Sequence, residues 1–315
     1  MKYAKLMYGI LTISVSILLS CQVEGEGHTG VWTQKADFGG SDRCDAVGFS
    51  IGNKGYIGTG DNTLGKLQDF WEYDPFTNTW TQKADFGGGV RFGAVGFSIG
   101  NKGYVGTGYS IDISKDKDFW EYDPAFNTWT KKADFAGEDR SSAVGFSIGN
   151  KGYIGTGDNT NIRFQDFWEY DPVSNSWTQK ADFAGGARYV AVGFSIGNKG
   201  YIGTGLGRND ECKDFWEYDP VSNSWTQKAD FAGGAILSAV GFSIGNKGYI
   251  GIDEFSERFW EYDPASNTWT RKADYAGVSR SNAVGFSIGN KGYIGTGEKY
   301  YSSWYYFKDF WEFTP

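Results

Sequence analysis

The sequence predicts an all-β fold, a six-bladed β-propeller with four antiparallel strands in each blade. A phrase of the form AVGFSIGNKGYxG occurs six times, starting at Ala46, Ala94, Ala143, Ala191, Ala239 and Ala283. A tryptophan that opens the phrase WT(Q/K/R)KAD recurs at spacings of 44 to 49 residues, at Trp32, Trp80, Trp129, Trp177, Trp225 and Trp269. No segment after residue 30 has helical periodicity. A repeat of this length without helices is typical of a propeller blade.

Each repeat divides into four short strands, here called a to d. In strand a, AVGFSI, the large residues Val47, Phe49 and Ile51 alternate with small ones, which predicts one packed face and one crowded face. The following Gly-Asn-Lys-Gly is a hairpin turn signal before strand b, GYIGTG. Strand c, DFWEYD, ends at Pro75, which cannot continue a ladder, and strand d, TWTQKA, follows a short turn.

The two ends of the repeat region predict how the ring closes. The repeats begin with a lone strand d at Val31-Trp32-Thr33 and end with a lone strand c at Asp309 to Phe313. A last blade made of strands a, b and c lacks one strand d, which the N-terminal strand supplies. We therefore expect residues 31–315 to form one closed propeller in which the N-terminal strand joins the last blade, so that no sheet edge stays free.

The first residues have the pattern of a targeting segment. Two lysines precede an apolar run over residues 6–19, which is shorter than a membrane span. The run ends in Leu18-Leu19-Ser20-Cys21, which resembles the lipobox of bacterial lipoproteins; an ordinary signal peptide with an incidental cysteine is the alternative. We expect residues 1–20 to be a lipoprotein signal peptide, Cys21 to be lipidated and residues 21–30 to be a flexible tether. The predicted location is the bacterial cell envelope, at the periplasmic or outer-membrane surface, with membrane contact through the lipid anchor only.

Composition argues against several classes of function. The formal net charge of −8 and the pI of about 4.9 argue against a nucleic-acid partner. The chain has one histidine, His28 in the tether, and Cys44 and Cys212 lie in different repeats. We therefore expect no disulfide framework, no metal site and no cofactor. We also expect a monomer.

The repeats resemble those of the kelch family. The resemblance is carried by Tyr56-Ile57-Gly58-Thr59-Gly60, then Tyr73-Asp74-Pro75, then Trp80, and it covers the whole repeat region. It implies a kelch-type propeller of the galactose-oxidase-like fold, a group that includes enzymes and many binding adaptors. The kelch double glycine is Gly-Thr-Gly here, and repeat 5 departs further with Gly251-Ile252-Asp253, which loosens the assignment to a subfamily.

The repeats differ from one another mainly in two places. One is the junction between strand d and the next strand a, at 40–45, 88–93, 137–142, 185–190, 233–238 and 277–282. The other is the loop between strands b and c, at 61–68, 109–117, 158–165, 206–213, 254–257 and 298–308. Antiparallel geometry puts both sets on one face of the ring. A constant scaffold with one diversified face predicts a binding surface, whereas neutral drift of exposed loops is the alternative.

Five of the six d–a junctions contain an arginine, and Ile236 replaces it in the sixth. The five are Arg43, Arg91, Arg140, Arg188 and Arg280. Guanidinium groups bind carboxylates and sulfates through paired hydrogen bonds, so these arginines are candidate ligand contacts at the channel mouth. The kelch resemblance implies the same use, because arginines near this position contact acidic ligands in several kelch proteins. In the alternative, each arginine ties adjacent blades together by pairing with a repeated acid such as Asp69 or Asp85.

The longest b–c loop is also the most aromatic. Residues 298–308, EKYYSSWYYFK, contain six aromatic side chains, whereas the equivalent loop at 61–68 contains none. Exposed tyrosine and tryptophan are efficient binding anchors, so the candidate ligand contacts are Tyr300, Tyr301, Trp304, Tyr305 and Tyr306. The alternative is a loop that covers the seam of the closing blade, and its alternating pattern could extend the b–c hairpin.

We therefore expect a non-catalytic binding module that recognises a glycan or protein ligand on the loop-variable face. Copper oxidase activity is disfavoured, because galactose oxidase needs histidine ligands and this chain has only His28. The first alternative is a mutarotase-like kelch enzyme acting on an acidic sugar, with Glu138 beside Arg140, or Asp45 beside Arg43, in the acid–base site. The second is a structural spacer without a ligand.

Overall fold

A computed structural model describes residues 28–110, 116–160 and 162–315. The predicted signal peptide at 1–20 and the predicted lipidation site Cys21 lie outside these residues, as does the tether before residue 28. Within the described part of the chain, no helix has the length and apolar character needed to cross a membrane.

The chain forms six four-stranded antiparallel sheets, which we number as blades 1 to 6 in the order of their first strands. Strand a is Val47–Ile51, Val95–Ile99, Val144–Ile148, Val192–Ile196, Val240–Ile244 and Val284–Ile288. Strand b is Lys54–Gly58, Lys102–Gly106, Lys151–Gly155, Lys199–Gly203, Lys247–Asp253 and Lys291–Gly295. Strand c is Phe70–Asp74, Phe119–Asp123, Phe167–Asp171, Phe215–Asp219, Ser256–Asp263 and Phe310–Thr314. Strand d is Thr79–Gln82, Thr128–Lys131, Ser176–Gln179, Ser224–Gln227, Thr268–Lys272 and, in blade 6, Val31–Gln34.

Two b–c loops form small hairpins of their own. In blade 1, Asp61–Asn62 pairs with Gly65–Lys66. In blade 6, Glu298–Tyr300 pairs with Trp304–Tyr306. The aromatic loop therefore forms a separate two-stranded hairpin rather than an extension of strands b and c.

The N-terminal strand closes the ring as predicted. Val31–Gln34 lies antiparallel to Phe310–Thr314 and becomes the outermost strand of blade 6. Trp32 then packs edge-on against Phe259 of blade 5, with ring centroids 5.1 Å apart. The equivalent tryptophan and phenylalanine of two consecutive blades, Trp129 and Phe70, lie 5.0 Å apart in the same geometry. The seam therefore uses the packing found between the other blades.

Strand a has the two faces that its sequence predicts. In blade 1, Val47, Phe49 and Ile51 are buried in the apolar layer between blade 1 and blade 2. On the opposite face, a side chain in place of the hydrogen of Gly48 would put its Cβ 2.8 Å from the Cβ of Val284 in blade 6. Glycine is therefore required where neighbouring innermost strands meet.

Six backbone hydrogen bonds form a closed ring around the axis. The residue two positions before each strand a has a left-handed conformation, with φ between 47° and 61°. Its N–H donates to the carbonyl of the equivalent residue in the preceding junction, at 2.9 to 3.2 Å. The six residues are Asp45, Gly93, Ser142, Val190, Ser238 and Asn282. Five of them are not glycine, and a left-handed backbone is sterically unfavourable for a residue with a side chain. This indicates that ring closure constrains the backbone here.

Substitution of Trp32 by alanine tests the closure. Trp32 contacts Phe259, Tyr275 and Phe313 and donates a hydrogen bond from Nε1 to the Ala273 carbonyl at 3.0 Å. Loss of this packing is expected to lower the free energy of unfolding, measured by denaturant titration, by about 3 kcal/mol. The matched control is the exposed Trp304→Ala, for which we expect a change within about 0.5 kcal/mol. Equal effects of the two substitutions would contradict closure by the N-terminal strand.

Candidate functional site

The two variable loop sets lie together on one face, which we call the upper face. Each b–c loop begins beside the d–a junction that enters the same blade. Isolated β-bridges join Cys44 to Asp61, Ser141 to Asp158 and Ser281 to Glu298, and equivalent bridges occur in blades 2 and 4. The predicted common face of the two loop sets is therefore present in the structure.

The five junction arginines are buried beneath this face. Each is at most 1% exposed and forms a two-pronged ion pair with the aspartate that precedes strand c of its own blade. In blade 3, Arg140 donates to the two carboxylate oxygens of Asp166 at 2.6 and 2.8 Å and to the Thr156 carbonyl at 3.0 Å. The other four arginines make the same set of contacts to their own threonine and aspartate.

Four of the arginines, Arg43, Arg91, Arg140 and Arg188, also link two blades. The backbone of Arg91 contacts blade 1, accepting from the N–H of Gly60 at 2.7 Å and donating to the Leu67 carbonyl at 3.0 Å. Its side chain pairs with Asp118 of blade 2 at 2.7 Å. Contact with a ligand stays a prediction for these arginines, and their geometry matches the alternative in which they tie the blades together.

The pairs proposed for an enzyme on an acidic sugar do not form. Arg43 pairs with Asp69 rather than Asp45. Arg140 pairs with Asp166, and its only bond to Glu138 is to the backbone carbonyl. Neither arginine is left free to hold a substrate carboxylate beside a catalytic acid.

Blade 5 lacks both partners of the pair. Ile236 replaces the arginine, and the exposed Arg258 stands where the other blades have the aspartate. In the other blades this aspartate also accepts a hydrogen bond from the strand c tryptophan, as Asp166 does from Trp168 at 2.7 Å. The buried Nε1 of Trp260 in blade 5 has no such partner. The arginine and the aspartate are therefore both missing from the same blade. This is expected if the two residues depend on each other, because burying one charge without its partner is costly.

The aromatic hairpin has two faces of different character. On one face, Phe307 is buried 3.9 Å from the Arg280 guanidinium of its own blade, as Phe164 lies 4.2 Å from Arg140 in blade 3. On the opposite face, the strand register pairs Glu298 with Tyr306 and Tyr300 with Trp304, so these four side chains lie side by side. The rings of Tyr300 and Trp304 pack edge-on, 5.2 Å apart.

Four of the five predicted aromatic contacts are exposed. Tyr300, Tyr301, Trp304 and Tyr305 are 50–59% exposed, whereas Tyr306 is half-buried at the base of the hairpin. The loops of the two adjacent blades add the exposed apolar tips Leu64 and Phe255. Blades 5, 6 and 1 therefore form an apolar sector on the upper face.

A group of acids lies next to this hairpin at the seam between blades 6 and 1. Donor atoms of Cys44, Asp45 and Glu298 lie within 4.8 Å of one another. The Cys44 thiol donates to Asp61 at 3.1 Å, and the Asn282 amide donates to Glu298 at 2.9 Å. We call Cys44, Asp45, Asp61 and Glu298 the seam cluster.

The cluster favours its protonated forms. Burial, and then the charges of Glu298 and Asp61, raises the pKa of Asp45 to about 7. Burial also raises the pKa of Asp61 and of Glu298, and burial followed by the neighbouring carboxylates raises that of the Cys44 thiol. At the edge of the cluster, the pKa of Tyr306 rises to about 12 by burial and by the same negative groups.

This arrangement has two chemical capabilities. Asp45, with a pKa of about 7, can exchange a proton near neutral pH, as a general acid or base must. The sulfur of Cys44 and the carboxyl oxygens of Asp45 and Glu298 are also atoms that could bind a divalent metal, provided that the protons held by the cluster are displaced. The sequence did not indicate the cluster, because ring closure brings together residues from the two ends of the repeat region. The one sign of this cluster in the sequence is an acidic residue at the same loop position in three repeats, namely Asp61, Asp158 and Glu298.

The buried pair can be tested by reproducing the exchange found in blade 5. Arg140→Ile leaves the partly buried Asp166 without its partner, and we expect a loss of about 3 kcal/mol in unfolding free energy. The double variant Arg140→Ile/Asp166→Arg restores the blade 5 combination and is expected to recover at least half of that loss. Denaturant titrations of both variants and of Asp166→Arg alone give the coupling energy. Additive effects would contradict the assigned pair.

A pH series tests the seam cluster. Because the pKa of Asp45 is raised on folding, its protonated form stabilises the fold, and this contribution is lost as the pH rises from about 4 through about 7. The groups around it are Cys44, Asp61, Glu298 and Tyr306. Asp45→Asn removes the titration and is expected to be stabilised relative to the parent chain by at least about 1 kcal/mol more at pH 8 than at pH 4. The exposed Asp42→Asn is the control, and an identical pH dependence in Asp45→Asn and the parent would contradict the raised pKa.

Comparison with known proteins supports the fold. No protein-family model matches this chain, and no curated protein matches it. Among solved structures, the chain is similar to the one titled "Structure of YjhT", with a TM-score of 0.74 and 16% identity, covering 88% of this chain and 95% of that one. At this identity the likeness is one of fold alone. The chain is a six-bladed β-propeller whose fold is similar to that of the solved structure of YjhT.

Proposed function

We propose that this propeller is a non-catalytic, envelope-anchored binding module that recognises a glycan on the aromatic sector of its upper face. The observation that carries the proposal is the exposure of Tyr300, Tyr301, Trp304 and Tyr305 on the b–c hairpin of the closing blade, whereas the b–c hairpin of blade 1 has no aromatic residue. Aromatic side chains with an apolar face and a polar edge suit sugar rings, which combine apolar C–H faces with hydroxyl groups.

The size of the channel mouth favours a ligand held on the surface. The cavity there has a volume of about 140 Å³ and is lined by the six left-handed junction residues and the alanines that follow them. Typical small-molecule sites enclose about 300 to 1,000 Å³. The mouth therefore accepts at most a terminal group, and the larger contact area lies on the aromatic hairpin.

An acid–base enzyme acting on a sugar is the second candidate, and the pKa of Asp45 favours it. A carboxyl group with a pKa of about 7 at the channel mouth is suited to proton transfer at neutral pH. Exchange between sugar anomers, followed by NMR, tests this activity. A catalysed rate that is lost in Asp45→Asn would replace the binding proposal.

A glycan array probed with the full-length chain tests the binding proposal. Trp304→Ala and Tyr305→Ala are each expected to weaken binding of the captured glycan by roughly tenfold, because loss of an aromatic anchor costs about 1 to 2 kcal/mol. Both side chains are at least 50% exposed, so the free energy of unfolding is expected to stay unchanged.

The control substitution is Phe126→Ala, which removes an exposed aromatic side chain from a c–d turn away from the upper face. Unchanged binding in both hairpin variants would remove the hairpin from the site. Capture of a protein partner without any glycan would identify a protein ligand, and the absence of any ligand would favour a structural spacer.

A further inference from the structure

We propose that the ligand of the aromatic sector is a cationic glycan, an amino sugar whose ammonium group lies against the seam cluster while its ring stacks on the hairpin. This inference rests on the proposed function and adds the charge of the ligand. It reverses the expectation of an acidic ligand that the arginines first raised.

The hairpin and the seam cluster form one continuous strip. Glu298 belongs to both, because it begins the hairpin and lies within 4.8 Å of Cys44 and Asp45. Tyr306 is its cross-strand partner, and Tyr300 and Trp304 are the next pair on the same face. The strip therefore passes from carboxylates at the channel mouth, through the half-buried Tyr306, to the two exposed rings.

Three cationic groups near the strip are already engaged. Arg280 is buried in its ion pair with Asp309. Lys299 lies on the opposite face of the hairpin and donates to the Ser279 hydroxyl. Lys66 donates to the Ser110 carbonyl of the next blade at 2.5 Å and lies 4.9 Å from the Phe92 ring. Apart from Lys66, the cross-strand neighbour of Asp61 whose charge favours the ionised form of that carboxyl, the ionisable groups among the described residues of the strip are therefore all acidic.

Carboxylates beside aromatic rings favour binding of a cation that carries apolar groups. An ammonium group gains from the negative faces of tyrosine and tryptophan rings, and aromatic cages bind quaternary ammonium groups in this way. A nearby carboxylate adds Coulomb attraction, whereas a ligand carboxylate would be repelled by the same groups. The acids of the strip thus select for positive charge, and the rings supply the contact area.

The test compares three oligosaccharides of equal length against the full-length chain at pH 8. They are an N-acetylglucosamine oligomer, its N,N,N-trimethylglucosamine counterpart with a fixed positive charge, and an oligogalacturonate. We expect the trimethylated oligomer to bind roughly three- to tenfold more tightly than the neutral one, which is the range of a partly exposed charge pair. The oligogalacturonate is expected to bind more weakly than either, and the preference for the cation is expected to shrink at high salt.

Two conservative variants locate the effect. Glu298→Gln and Asp61→Asn are each expected to bring the ratio of the affinities for the cationic and the neutral oligomer close to one. Glu138→Gln, which removes an exposed carboxylate at the d–a junction entering blade 3, is the matched control and is expected to keep the full preference. Circular dichroism of each variant checks that the fold is intact.

The possible results separate the two proposals. Equal binding of the neutral and cationic oligomers, with loss of both in Trp304→Ala, overturns the inferred charge and retains the glycan-binding function. Tighter binding of oligogalacturonate also overturns the charge inference. Binding of no sugar on the array or in these titrations overturns both.

Discussion

The buried arginine–aspartate pair is the interaction on which the rest of this propeller depends. All five arginines pair with their own blade through the side chain, and all but Arg280 also bond the preceding blade through the backbone, so one residue joins two sheets. A buried guanidinium needs nearly all of its donors satisfied, and the aspartate and the threonine carbonyl accept them. The pair therefore holds the blades in register and also removes five positive charges from the upper face.

The removal of these positive charges determines the chemistry of the upper face. With the arginines committed below, the channel mouth between blades 6 and 1 has the carboxyl groups of the seam cluster beside the exposed rings of the hairpin. The closing blade contributes both, since Glu298 belongs to the seam cluster and the hairpin it begins carries the exposed rings. The same hairpin has a structural side, because Phe307 covers the Arg280 guanidinium. The exposed rings lie on both faces of the hairpin, with Tyr305 on the face of Phe307 and with Tyr300 and Trp304 on the other.

The fold could be predicted from the sequence because each local pattern recurs in six repeats. Alternation in AVGFSI, the Gly-Asn-Lys-Gly turn and the lone strands at the two ends are local features, and the structure confirms the strands and the closure they predict. The site followed only in part. Arg43 has several acidic residues within reach in the sequence, and only the packed structure selects Asp69 over Asp85. The seam cluster joins Cys44 to Glu298, a contact that no local pattern encodes.

The tryptophan side chains provide the most direct measurement of this account. Twelve of the thirteen belong to the repeat framework, and Trp304 is the exception. Five framework indoles donate to the aspartates that hold the arginines, so their N–H signals report on those pairs. In a ¹⁵N-indole NMR titration with the captured glycan, the account predicts a shift of the Trp304 signal while these five signals stay in place. If the Trp304 signal stays in place and the five framework signals shift, the ligand reaches the arginines, and the proposed binding surface is contradicted.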